Sequence, residues 1–226
     1  MHYDWNFWRL LPYWEAFLSG TGITLALTFL VIIFGTLLGV IVGLSLRQPV
    51  LRFIAYPFVD VIRALPPLVL LLFLYYLLTR QVIGTSVAAF WVYTIAMSLN
   101  LAAFTTDIVR AAIENVPYGV TDAGLALGMS QKQVTRYIVL PHVIREIIPA
   151  MTLLYIEMLK MSSLASVINV RDVVYTAQTV IASISRSLEA WIIVALIYIA
   201  LVIPATIVAR RVEIWLGRGG NTRRGL

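Results

Sequence analysis

A chain of 226 residues that is 61% hydrophobic and only 12% charged is not composed like a water-soluble domain, in which charged residues make up about a quarter. Its mean hydropathy of +0.91 points to lipid as the solvent. The lack of cysteine excludes disulfide frameworks, iron–sulfur clusters and thiolate metal sites, and the net charge of +6 has to be explained by its distribution before nucleic acid is invoked.

Residues 1–20 mix aromatic and charged side chains and read as an external segment, with Trp5, Trp8 and Trp14 as an interfacial aromatic belt. No short apolar core precedes a small-residue cleavage site there, so no cleavable signal peptide is expected. A bilayer core of about 30 Å takes roughly 20 apolar helical residues. Thr24–Leu46 is an uncharged run of 23, and its Gly35, Gly39 and Gly43 form a repeated small-x-x-x-small pattern suited to helix packing. Ala64–Thr79 is a second run, entered through a tilted or interfacial turn at Phe53–Ile62, with Pro66-Pro67 at its first turn. Gln81–Thr106 is a third, preceded by a loop at Gly84–Ser86; its Asn100 suits an interhelical hydrogen bond or a ligand contact. Ile147–Val170 is a fourth, interrupted by Glu157 and Lys160, and Ala190–Ala209, with Pro204 tolerated in lipid, is the fifth. Five spans put the termini on opposite faces.

The positive charge then sorts itself. One side carries Arg47, Arg52, Arg63, Arg110, Lys132, Arg136, Arg145, Arg210, Arg211, Arg218, Arg223 and Arg224, and the other Arg9, Arg80, Arg171 and Arg186. Twelve against four predicts an external N-terminus and a cytoplasmic C-terminus, with 210–226 as a basic cytoplasmic tail. The surplus is topological, and no nucleic-acid partner is needed. Among these charges, Arg63, Asp107, Arg110 and Glu114 could join as a network or stand solvated, while His2 and His142 give no metal spacing.

Residues 107–146 become a cytoplasmic connection, half apolar and punctuated by glycine: "DAGLALGMSQKQVTRYIVLP" covers 122–141. Pro117 and Gly119 break the preceding helix, Pro141 marks the far edge, and Ser130 with Gln133 fits a capping box for a second short helix. Gly124 and Gly128, four apart, would stack on one helical face and admit a close neighbour; the segment could equally be an amphipathic helix on the headgroups.

The same residues resemble the permeases of ATP-binding-cassette (ABC) importers, whose cytoplasmic motif reads E-A-A-x3-G-x9-I-x-L-P. Here Asp122-Ala123-Gly124, Gly128, Ile138 and Leu140-Pro141 keep every spacing, with Asp122 for the usual Glu and Gly124 for the second Ala. "GTGITLALTF", "FVDVIRALPPLVLLLF", "TTDIVRAAIENVPYG", "LPHVIREIIPA" and "EMLKMSSLASVINVRDV" extend the likeness over roughly residues 20–210, toward the polar amino acid branch. The resemblance implies a single all-α permease domain over 1–226 in the bacterial inner membrane, of the type I importer fold. It also implies ATPase coupling through Asp122, Ala123, Gly124, Gly128, Met129, Ser130, Ile138, Leu140 and Pro141. The implied partners are a cytoplasmic ABC ATPase dimer, a second permease subunit, identical or homologous, an external solute-binding protein, membrane lipid and an amino acid substrate. No G-x-x-x-x-G-K-[ST] loop occurs, so the chain is read as a non-enzyme without a cofactor, ATP and Mg residing in the ATPase.

For the substrate pathway the candidates are Leu154, Glu157, Lys160, Met161, Ser162 and Ser163. Glu157 and Lys160, three apart on one helical face, could meet a zwitterion or pair with each other. Relatives that carry cationic amino acids resemble one another in placing acids on this span; here Met161 and Leu154 stand instead, which argues against arginine or lysine as substrate. A self-sufficient secondary transporter or channel using Glu157 and Lys160 is the alternative, although no internal repeat supports it. A membrane-embedded enzyme is weaker, since no nucleophile–base or metal set converges.

Overall fold

A computed structural model describes residues 3–46, 49–78 and 87–217. Arg47, Thr79, Arg80, the Gly84–Ser86 loop, His2 and the basic residues from Arg218 onward lie outside them. The described residues are almost wholly helical. A 3-10 turn (Phe7–Tyr13) leads into α1 (Trp14–Ser45), followed by α2 (Pro49–Ala64), α3 (Pro67–Leu78), α4 (Ala89–Glu114), α5 (Tyr118–Ala126) and α6 (Gln131–Val134). A π-turn (Thr135–Val139) joins α6 to α7 (Leu140–Met161), which tightens to a 3-10 stretch (Ser162–Ile168) before α8 (Val173–Ile184) and α9 (Ser187–Gly217).

Four helical stretches are long and apolar enough to cross a bilayer, and α2 with α3, bent by 110°, makes a fifth if the pair counts as one span. The packing requires that return crossing. Gly35 lies against Leu101, Gly39 against Thr105 and Gly43 against Val109, so α1 and α4 run parallel and the chain between them must come back. The expected glycine stripe therefore packs as foreseen. A Cβ on Gly39 would stand 2.5 Å from Thr105 Cβ and 2.6 Å from the Ala102 carbonyl oxygen, and Thr106 Oγ1 donates to the Gly39 carbonyl at 3.2 Å. Between these helices Leu27, Val31, Tyr93, Met97 and Leu101 form the main core, joined by Leu71 and Met158.

Several boundaries differ from the sequence expectation. The first helix begins at Trp14, ten residues before Thr24, because Leu10 and Phe17 find an apolar site against Val173, Ala177, Val180 and Val194. At 1.5 Å per residue its 32 residues extend about 48 Å, more than the bilayer core. The expected turn at Phe53–Ile62 is instead part of a sixteen-residue helix, α2, while the second helix of the pair starts at Pro67 as expected. Helix α7 does not continue to Val170 as regular α-helix: Ser162, Ser163 and Ser166 hydroxyls donate to the carbonyls three residues back, favouring the tighter 3-10 turn. Asn169 then takes a left-handed φ of 60°, and α8 follows, an apolar element the span count does not contain. Asn100 is buried, and its Oδ1 has no hydrogen-bond partner.

Candidate functional site

The connection between α4 and α7 is a helical hairpin, and its geometry follows from four residue types. Pro117 occupies the N-cap position of α5. The helix ends in a Schellman motif: Met129 N–H donates to the Gly124 carbonyl at 3.1 Å and Gly128 N–H to that of Leu125 at 2.9 Å. Gly128 supplies the left-handed residue this closure needs, with φ +82°. Ser130 then caps α6 with the expected box, its N–H donating to Gln133 Oε1 at 2.8 Å while its Oγ accepts from Gln133 N–H at 3.4 Å.

Two expectations are corrected. Gly124 and Gly128 do not share a helical face, because α5 ends at Ala126 and Gly128 turns the chain. The neighbour that needs Gly124 bare is this chain itself: a Cβ there would lie 2.8 Å from Ile138 Cδ1 and 3.2 Å from Val134 Cγ2. Pro141 does not end the segment either. Proline removes an N–H and crowds the carbonyl four residues back; the π-turn just before it widens the helix, and α6 runs on into α7. Of the coupling candidates, Asp122, Ala123, Gly128, Ser130, Leu140 and Pro141 are exposed, Gly124 is buried, and Met129 and Ile138 are half-buried within the hairpin cluster. The side chains most open to a partner are ones the motif does not specify: Tyr118 (83% exposed) and Leu127 (84%), with Val120 and Leu125 beside them. Their signal in the sequence was an apolar residue amid turn chemistry.

On α7 the inward side carries Val143, Met151 and Met158, all buried, with Val143 and Met158 in this chain's own clusters. Its outward stripe carries His142, Glu146, Leu153, Glu157 and Lys160, at helical spacing. Lys160 Nζ lies 2.7 Å from Glu157 Oε2, with the two side chains 51% and 45% exposed respectively. Toward the hairpin, Glu146 receives Asn115 Nδ2 at 2.6 Å and stands 3.6 Å from His142 Nε2. Lys160 and Ser163 also line a cleft of about 390 Å³ with Tyr198 and Val202. The other pathway candidates diverge. Leu154 and Met161 pack against the main core, and buried Ser162 donates to the Leu159 carbonyl, 3.2 Å from the Tyr198 hydroxyl.

At the hairpin end Arg63, Asp107, Arg110 and Glu114 do form a network. Arg63 meets Asp107 at 3.1 Å, and Arg110 meets Asp107 and Glu114 at 2.8 Å each, tying α2 to α4. Two buried acids at the other end escaped sequence reasoning. Asp172 caps α8 through a 2.8 Å bond from Tyr175 N–H, while its Oδ2 has no hydrogen-bond partner; burial pushes its carboxyl up to about 6. Glu189 accepts from the Tyr3 hydroxyl and, at 3.0 Å, from Asn6 N–H, with Arg186 at 3.5 Å, so it pins the N-terminal segment over α9. Among the described residues, no three His, Asp or Glu side chains gather as a metal site.

Residues 35–217 match the family described as binding-protein-dependent transport system inner membrane component. The chain belongs to that family. This inner-membrane permease subunit is 29% identical over 216 residues to the glutamine transport system permease protein GlnP of Escherichia coli K12, covering 94% of this chain and 97% of that one. To the arginine transport system permease protein ArtQ of Bacillus subtilis 168 it is 33% identical, with 92% and 95% covered. Its structure superposes on an amino acid ABC transporter at a TM-score of 0.85, with 30% identity and 93% and 99% coverage. The inward-facing methionine transporter MetNI shares the fold at a TM-score of 0.77, 21% identity and 91% and 98% coverage.

Proposed function

We propose that this permease subunit imports a polar, non-cationic amino acid or amino-acid derivative across the cytoplasmic membrane, driven by ATP hydrolysis in a partner. The observation that carries the reading is the outward stripe of α7. A charge at bilayer depth costs about 2.5–3.5 kcal/mol or more, yet Glu157 and Lys160 stand half open on the outside of their own chain. Such a face belongs against a water-filled path shared with a second permease half, identical or homologous. A zwitterion's carboxylate and ammonium can exchange with this ion pair without leaving either charge bare. Because Lys160 occupies Glu157 and the neighbouring Leu154 and Met161 turn into the core, this end of the stripe offers a cationic side chain no second carboxylate. The amino acid ABC transporter fold and the glutamine permease relative support an amino acid as cargo, and the non-cationic part rests on the α7 stripe alone, since a relative at 33% identity is an arginine permease.

The hairpin is the input to this path. With the N-terminus external and the C-terminus cytoplasmic, α5 faces the cytoplasm, where the apolar side chains of Tyr118, Val120, Leu125 and Leu127 suit a cleft on an ABC ATPase dimer. The helical rod from Gln131 to Ile168 carries a displacement of the hairpin to Glu157, sixteen residues or about 24 Å beyond Pro141. The ATPase can shift the gate only as far as it binds the inward and outward states differently. An external solute-binding protein delivers the substrate; ATP and Mg stay with the ATPase.

The test is uptake into proteoliposomes holding the permease, with and without the ATPase subunit and trapped ATP. Accumulation should require both and ignore a proton gradient. Uptake that persists without the ATPase and follows the proton gradient would instead identify a secondary transporter.

A further inference from the structure

A second groove, about 430 Å³, runs between α1, α7 and α9, away from the Glu157 stripe. Its walls include Phe29, Ile32, Ile156, Leu201, Ala205 and Val212. The hydroxyls that border it are engaged within the chain: Thr28 donates to the Thr24 carbonyl at 2.8 Å, Thr152 bonds the Pro149 carbonyl at 2.8 Å and Glu213 at 2.9 Å, and the Tyr155 hydroxyl lies 2.9 Å from that of Thr36. With these hydroxyls engaged and the other walls apolar, the groove suits hydrocarbon. Its length is informative. From Leu201 to Val212 the α9 wall extends about 16 Å, the depth of one leaflet in a core of about 30 Å.

Basic residues stand where a headgroup would then lie. Arg145 is seven residues before Thr152 on α7, hence on the groove's stripe about 10 Å nearer the hairpin. Arg211 is one turn beyond Val208 on the α9 wall. Both are exposed, and neither has an ion pair among the described residues; Glu213, also near this mouth, is held by Thr152 at 2.9 Å, so the two arginines outnumber that carboxylate. Basic pockets between spans on the cytoplasmic side select anionic headgroups, each arginine contributing about 1 kcal/mol of attraction near the surface.

We propose that this groove binds one anionic phospholipid of the leaflet on the hairpin side, an acyl chain along α9 and the phosphate between Arg145 and Arg211. The site is separate from the translocation face and does not depend on the substrate assignment.

The test uses the full permease in nanodiscs with a trace of phosphatidylglycerol carrying a diazirine on its acyl chain, and mass spectrometry to map the adducts. Labelling should concentrate on residues 25–32 and 201–212, and unlabelled phosphatidylglycerol should compete far better than phosphatidylcholine. Arg145→Gln and Arg211→Gln should each reduce that headgroup preference about fivefold while leaving total labelling in place. Ala205→Trp, which fills the groove, should remove the labelling itself. Equal competition by phosphatidylcholine, or a preference unchanged in both glutamine variants, would overturn the proposal in favour of ordinary annular lipid. Disulfide capture of a second permease copy through cysteines at Phe29 and Ala205 would overturn it in favour of a subunit interface.

Discussion

The α1–α4 seam and the Glu157–Lys160 end of the α7 stripe both lie at bilayer depth, yet they are built on opposite plans. The seam has no charge across its middle, seats three glycines of α1 directly against α4, and satisfies Thr106 on a carbonyl of the facing helix. The stripe holds the Glu157–Lys160 ion pair, half open on the outside of its own chain. A membrane helix meets no hydrophobic drive toward its neighbour, because lipid is as apolar as the neighbour. Tight steric fit therefore marks what stays together. Exposed charge marks what must face water or another subunit.

Substituting Gly39 tests the seam most severely. Gly39→Leu drives a side chain into Thr105 and the Ala102 carbonyl, neither of which can retreat. The expected cost is about 3 kcal/mol or more, read as loss of monodisperse protein in detergent. Gly22→Ala, where a Cβ meets nothing within 4 Å, should leave the protein intact. If the two variants behaved alike, the seam would not be the scaffold.

At the hairpin the expectation reverses, with a large functional effect and little change in stability. Leu127→Asp alters a side chain that is 84% exposed, so the melting temperature should stay constant. Binding of the ATPase should weaken about thirtyfold, the cost of about 2 kcal/mol at an interface anchor. Undiminished co-purification with the ATPase would remove α5 from the interface.

The ion pair itself sharpens the contrast. If the stripe borders water, Glu157→Gln should cost under about 0.5 kcal/mol of stability, as for an open helical pair, while uptake falls several-fold. A loss of several kcal/mol would mean that the pair faces lipid.

A pH-dependent effect concerns Asp172. Its folded pKa of about 6 exceeds the unfolded value of about 3.9. The protonated carboxyl therefore favours the fold below about pH 4, and that advantage is lost as pH rises through about 6. Thermal unfolding between pH 4 and 7 should show this decline, and Asp172→Asn should flatten it.

Much of the fold was legible because the bilayer imposes so few solutions. Uncharged runs located the spans, and the Gly35–Gly43 spacing announced a packing seam. Serine at 130 with glutamine at 133 fixed the start of α6, since capping is a local hydrogen-bond arrangement. What misled was non-local. Gly124 read as an opening for a partner because sequence cannot say that Ile138 folds back over it. Pro141 read as a terminus because a π-turn leaves no composition of its own. Asp172 and Glu189 gave no signal in the sequence, because their burial depends on α1, α9 and the N-terminal segment closing around them.

By itself, the sequence determined the solvent, the spans and the local caps and turns of the connecting hairpin, all set by transfer free energy and short-range hydrogen bonds. Only the tertiary structure decided which small residues are consumed within the chain and which charges remain on its outside. Those answers depend on contacts between segments tens of residues apart, for which a linear pattern holds no distance.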